Sequence, residues 1–238
     1  MIGCQCEVCR SLDYRDKRLR TSIHISIDGK SLVVDTGPDF RQQMLREDIR
    51  NLNAVIFTHS HKDHVAGLDD VRAYNHLQGS DMEIYGRRQV LDQLKTEFYY
   101  AFEEKRYPGI PQLNLNEIDE LPFKAAGIKI TPLPVTHMQL PVLGFRVNDF
   151  SYITDANVIP DETIKRLNGT KVLVLNALQR KKHISHFNFE EAVAMATKIG
   201  AEKTYFTHIS HRLGLHKEVS KELPSSIALA YDGLSLTL

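Results

Sequence analysis

The 238-residue chain has no cysteine after Cys9, no excess of either charge and no apolar run near the length of a membrane span. Lys and Arg total 30, matched by 30 Asp and Glu. With no bulk positive field to gather phosphates, charge does not support a nucleic-acid partner. A membrane helix needs about 20 apolar residues in succession, so no membrane contact is expected. Residues 1–10 lack the apolar core of a signal peptide, which makes the cytoplasm the expected location. No internal repeat, low-complexity tract or Gly/Ser linker interrupts the chain. One domain over residues 1–238 is expected, and an apolar share of 42% is enough for a real core.

Three cysteines do occur, Cys4, Cys6 and Cys9, all within six positions. An odd number cannot pair off as disulfides, and so tight a cluster closes no long loop. The pattern reads as metal binding or as free thiols in a reducing compartment.

Alternation and turn chemistry predict a hairpin over 21–27 and 31–35, turning at Asp28-Gly29. A helix follows over 38–47, then a short buried strand over 54–57. Helices are predicted at 68–77 and 89–102, the latter with Val90, Leu91, Leu94 and Phe98 on one stripe. A strand lies between them at 83–85. Residues 107–116, with two prolines, read as an irregular excursion. Strands at 128–133, 144–147 and 151–154 precede a helix at 161–167 and a strand at 171–175. A helix at 189–199, a strand at 204–207 and a closing hairpin of 227–230 with 234–238 complete the chain. Hairpins flank strand–helix alternations in both halves. That organisation implies an α/β fold of two mixed sheets packed face to face with helices outside, a four-layer αββα sandwich.

The densest chemistry is Thr58-His59-Ser60-His61-Lys62-Asp63-His64, directly after the buried strand Ala54-Val55-Ile56-Phe57. Three imidazoles and a carboxylate within six residues, fixed at a strand end, suit Zn, Mn or Fe. His59 and His61 can point to one side, with Asp63 and His64 serving a second ion beside the first. Four ligands do not complete a two-metal site. Three more candidates sit at strand ends, where a rigid sheet delivers them: His137, Asp155 and His208. His24 and His76 lie inside a strand and a helix and read as structural.

These motifs resemble the metallo-β-lactamase superfamily, and more narrowly its PhnP-type, phosphoribosyl cyclic phosphate phosphodiesterase-like branch. The resemblance is carried by Val34-Asp35-Thr36-Gly37, by 58–64 with Gly67-Leu68 after it, by 134–137, by Thr154-Asp155 and by 207–211. It implies that His59, His61 and His137 bind one divalent ion. Asp63, His64 and His208 would bind the other, with Asp155 bridging. Asp35 resembles the carboxylate that orients a ligand imidazole through its other N–H. Cys4, Cys6 and Cys9 would form a structural zinc knuckle, its fourth ligand His211, with His216 in reserve. His186 resembles a histidine that faces the ions without binding them. It would protonate a leaving oxygen or hold a phosphate oxygen.

The implied activity is that of a metal-dependent phosphodiesterase acting on a small or cyclic phosphate ester through a hydroxide held by two metals, with His186 and Asp63 as its catalytic side chains. Rival readings on the same fold are a PqqB-like cofactor-biosynthesis protein, a tRNA-processing-type nuclease and a thioesterase. The resemblance also implies a homodimer. Family members generally open with a β-strand before the cysteine cluster; here the chain starts at Met1-Ile2-Gly3-Cys4, so that first strand is expected to be missing.

Overall fold

The computed structural model describes residues 1–103 and 109–238. The chain divides into two compact units, residues 20–131 and residues 1–19 with 132–238. Residues 1–19 carry one short α-helix, α1 (Glu7–Arg10), and a 3-10 turn at Tyr14–Asp16.

The 20–131 unit is built on a five-stranded sheet in sequence order: β1 (Ile23–Ile27), β2 (Lys30–Val34), β3 (Ala54–Ile56), β4 (Met82–Gly86) and β5 (Leu113–Glu117). β1 and β2 form the predicted antiparallel hairpin, and Asp28 and Gly29 take the positive φ values (49° and 74°) that such a tight turn requires. The remaining pairings are parallel. Parallel strands need crossovers, and helices supply them: α2 (Phe40–Arg46), α3 (Lys62–Val65), α4 (Arg72–Gln78) and α5 (Arg88–Glu97). The core of this unit joins Val33, Val55 and Ile84 of the sheet to Phe40, Leu68, Leu91 and Leu94. Three expectations need correction here. Residues 113–117, read as irregular, form an edge strand whose apolar–polar alternation is carried by asparagines; 107 and 108 lie outside the described residues. The helix expected over 68–77 begins as a 3-10 turn at Leu68–Val71. α5 ends at Glu97, with a separate 3-10 turn at Tyr99–Ala101.

β6 (Phe123–Ala125), not foreseen, pairs antiparallel with the first residues of β7 (Ile128–His137). β7 then carries the chain into the second unit. Here follow β8 (Leu140–Val147), β9 (Phe150–Ile153), α6 (Asp161–Arg166), β10 (Val172–Asn176), α7 (Phe189–Ile199), β11 (Lys203–Thr207), α8 (His216–Val219) and β12 (Ile227–Leu229). The hydrogen-bonded order is β12-β11-β10-β9-β8-β7-β6, parallel from β12 to β9 and antiparallel from β9 to β8. The unit's core gathers Leu133, Ile153, Leu173, Leu175 and Phe206 with Ala192 and Ala196 of α7. α7 starts in a capping box between Asn188 and Glu191 and stops at Gly200 in the left-handed region.

β7 runs well past the predicted end at 133, through Pro132 and Pro134. Successive residues of a strand bond to opposite sides, so these two missing N–H groups fall on one side only. On that side α6 takes the place of a strand. Arg166 donates to the Pro132 carbonyl at 3.1 Å and Thr163 to the Pro134 carbonyl at 2.6 Å. β8 likewise begins at Leu140 rather than 144. The predicted closing hairpin does not form. β12 pairs in parallel with β11, and 234–238 are not a strand.

Candidate metal centre

β3 delivers the histidine loop of the 20–131 unit. All three of its residues are buried between neighbouring strands, and the Phe57 N–H bonds to the Tyr85 carbonyl at 2.8 Å, so the loop leaves from a fixed point. Thr58 and His59 are buried. The loop then winds into α3, a single turn that places Asp63 and His64 side by side. The His59 ring lies 4.6 Å from that of His61 and 4.2 Å from that of His64, centre to centre.

Asp35 sits beneath this loop, fully buried, at the first position after β2. Its Oδ1 accepts the Thr58 N–H at 2.9 Å, and its Oδ2 accepts the Thr58 hydroxyl at 2.8 Å and His64 Nδ1–H at 2.7 Å. The Thr58 proton is thereby committed to Asp35, so the Thr58 oxygen accepts from His59 Nδ1–H at 2.9 Å. Both imidazoles thus place a proton on Nδ1, which leaves Nε2 as the atom turned to a metal when the ring is neutral. Burial pushes the Asp35 carboxyl upward, and the His64 and Thr58 hydrogen bonds pull it back.

Two glycines allow the Asp35–Gly37 loop to lie against α3. A Cβ added to Gly37 would fall 2.3 Å from the Asp63 carbonyl oxygen, and one added to Gly67 would fall 2.2 Å from the Gly37 carbonyl oxygen. The Gly67 N–H also bonds the Thr36 carbonyl at 2.8 Å.

In the second unit the candidates arrive singly at strand ends. His137 is the last residue of β7, and its Nδ1–H donates to the Ser185 carbonyl at 2.8 Å. Nε2 is therefore the ring atom left to a ligand role here too. Asp155 and His208 follow β9 and β11 by one or two residues, both with positive φ (53° and 52°). His208 Nε2 lies 3.1 Å from Asp155 Oδ1. His186 is buried, its ring stacked on His208 at 4.8 Å and set edgewise to His137 at 4.5 Å. Asp155, His186 and His208 each offer a ligand atom within 4.8 Å of the others. Burial above all, with the neighbouring His208, pushes His186 down to about 3.

Cys4, Cys6, Cys9 and His211 form a separate group, also with ligand atoms within 4.8 Å of one another. His211 Nδ1 is 3.4 Å from the sulfurs of both Cys4 and Cys6. A hydrogen bond from the Cys9 main chain, then His211, lowers the Cys6 thiol to about 6, while partial burial raises Cys9. His216 stands apart from this group. Its main-chain N–H bonds Asp16 at 2.8 Å, and its buried ring lies against Tyr231.

Two orienting groups escaped the sequence reading. Thr58 carried a signal, a hydroxyl between a strand end and a histidine. Ser185 carried none, because it acts through its main-chain oxygen.

Residues 30–209 match the family model of the β-lactamase superfamily domain. The crystal structure of "a New Diphosphatase from the PhnP Family" superposes with a TM-score of 0.92 at 39% identity, covering 98% of this chain and 89% of that one. The chain belongs to the β-lactamase superfamily, in its PhnP branch. The fold of this PhnP-type chain is accordingly the metallo-β-lactamase fold, α/β with two mixed sheets, as the motifs implied. A protein named octanoyltransferase from Porphyromonas gingivalis is 40% identical over 236 residues, 98% of this chain but 48% of that protein. The PhnP-type chain thus spans about half the length of that relative. The coenzyme PQQ synthesis protein B of Xanthomonas oryzae pv. oryzae is 23% identical over 277 residues, covering 95% of this chain and 90% of that one. Among the described residues no helix is long and apolar enough to cross a membrane.

Proposed function

We propose that this chain is a metal-dependent hydrolase of small or cyclic phosphodiesters, and that its residues 1–238 act as one catalytic domain. In this reading His59, His61 and His137 hold one divalent ion, Asp63, His64 and His208 hold a second, and Asp155 bridges them. The supporting observation is the shared hydrogen-bond pattern of three imidazoles. His59, His64 and His137 all commit Nδ1–H to an oxygen, which leaves Nε2 as the candidate ligand atom of each. A structural histidine has no need of that regularity, and a ligand does.

Bound divalent ions would lower the pKa of water from 15.7 to about 7 and offset charge on phosphate oxygens. The side chains supply the rest. Asp63 and Asp155 bring two negative charges against the four positive charges of two divalent ions. The residual positive charge favours an anionic ester. Asp35 fixes His64 directly and His59 through Thr58. His186 is neutral at pH 7, so it serves as an N–H donor to a phosphate or leaving-group oxygen rather than as a cation. A diphosphatase among the solved relatives is consistent with a phosphorus-centred reaction. The lowered Cys6 thiol and the adjoining His211 fit a Cys3His structural zinc.

Elemental analysis of purified protein should give three metals per chain, one of them resistant to chelation. The loaded protein should hydrolyse bis-p-nitrophenyl phosphate, and Asp63→Ala should reduce turnover to background. Retained turnover in that variant would refute the assignment.

A further inference from the structure

Arg20 is a cation that the scheme above leaves unused. Its main chain is clamped twice. The N–H donates to Asp39 Oδ2 at 2.7 Å, and the carbonyl accepts from Gln43 Nε2 at 2.7 Å. Its Cβ lies 3.1 Å from where a Cβ on Gly37 would be, so the side chain leaves beside the loop that supports α3. The tip is not clamped. Nη1 stands 3.6 Å from Asp63 Oδ2, beyond hydrogen-bonding distance, and 59% of the side chain is exposed. Among the described residues the guanidinium makes no hydrogen bond.

Arg15 and Arg180 behave differently. Arg15 grips Asp13 through Nε at 3.0 Å and Nη2 at 2.7 Å. Arg180 grips Glu222 through both Nη atoms at 2.6 and 2.5 Å. Arg20 keeps its planar fork open beside a candidate metal ligand, and a fork of that shape binds phosphate two bonds at a time.

We propose that Arg20 binds a second phosphate group of the substrate, next to the phosphorus under attack, and so selects diphosphate esters over isolated phosphodiesters. This deepens the phosphodiesterase reading and rests on it. Calorimetry on the metal-loaded full chain tests it with adenosine monophosphate and α,β-methylene adenosine diphosphate. The native protein should prefer the diphosphate by about tenfold or more, as a charge-assisted pair of bonds provides. Arg20→Ala should erase that preference at unchanged metal content, and Arg20→Lys should restore part of it. The ratio of kcat/KM for ADP-ribose over bis-p-nitrophenyl phosphate should fall by the same factor in Arg20→Ala.

A preference that survives Arg20→Ala, or one absent from the native protein, overturns the proposal. So does a fall in bound metal, which would make Arg20 a support for Asp63. An Arg20-dependent binding preference in a protein that cleaves neither ester would instead sink the hydrolase reading and leave the phosphate site standing.

Discussion

The two units assemble their candidate ligands by opposite means. In the 20–131 unit four of them crowd into His59–His64, and the loop must be bent into shape from below. A buried carboxylate, a threonine hydroxyl and two glycines do the bending. In the other unit His137, Asp155 and His208 are far apart in sequence and need no such scaffold. The register of β7, β9 and β11 brings each to its place, and a main-chain oxygen orients His137. A compact motif thus depends on specific side chains elsewhere, whereas a dispersed one depends on the sheet.

The sharpest way to break this contrast is to remove the orienting group from each side. Asp35→Asn has one accepting oxygen for the three hydrogens that Thr58 and His64 donate, and sets an NH2 against one of them, so it should weaken metal binding about 10- to 100-fold. Ser185→Ala should leave metal affinity unchanged, because the carbonyl that accepts from His137 remains. Metal titration followed by calorimetry reads both; equal losses would show that the two halves are built alike.

Steric support offers a smaller contrast. Gly67→Ala drives a methyl into the Gly37 carbonyl and should cost about 1–3 kcal/mol. Gly200→Ala, past the end of α7, comes no closer than an ordinary 3.9 Å to the Thr197 carbonyl oxygen, so it meets only the left-handed backbone and should cost about 1 kcal/mol. Denaturant unfolding measures both, and a tolerated Gly67→Ala would mean the 35–37 loop can yield.

The smallest expected effect is on pH. Burial, with Arg15 and Arg18 nearby, holds His216 below its ordinary value. The unfolded chain binds a proton near pH 6.5 that the folded chain refuses. Stability is therefore full above that pH and declines as pH falls below it. His216→Gln should flatten this decline in thermal melts between pH 7.5 and 5; an unaltered slope would remove His216 as the cause.

The contrast also explains what the sequence made legible. The His59–His64 loop announces itself by density, and the hairpin by Asp28-Gly29. His137, Asp155 and His208 were legible as polar residues at the ends of β-rich runs. The asparagine-bearing β5 was not, because its partner β4, rather than its own composition, makes it a strand. β7 was cut short at its prolines because their carbonyls find partners in α6, a long-range solution no local rule sees. The final L-S-L-T-L stretch alternates like a strand, yet β12 pairs with β11 instead. α3 hides inside the histidine loop because one turn is too short to show a period.

Asp155 and His208 occupy a backbone conformation in which glycine is most at ease and most other residues are strained by about 1–3 kcal/mol. Glycine at either position would relieve that strain, so each such variant should melt higher than the native chain while giving up a candidate ligand.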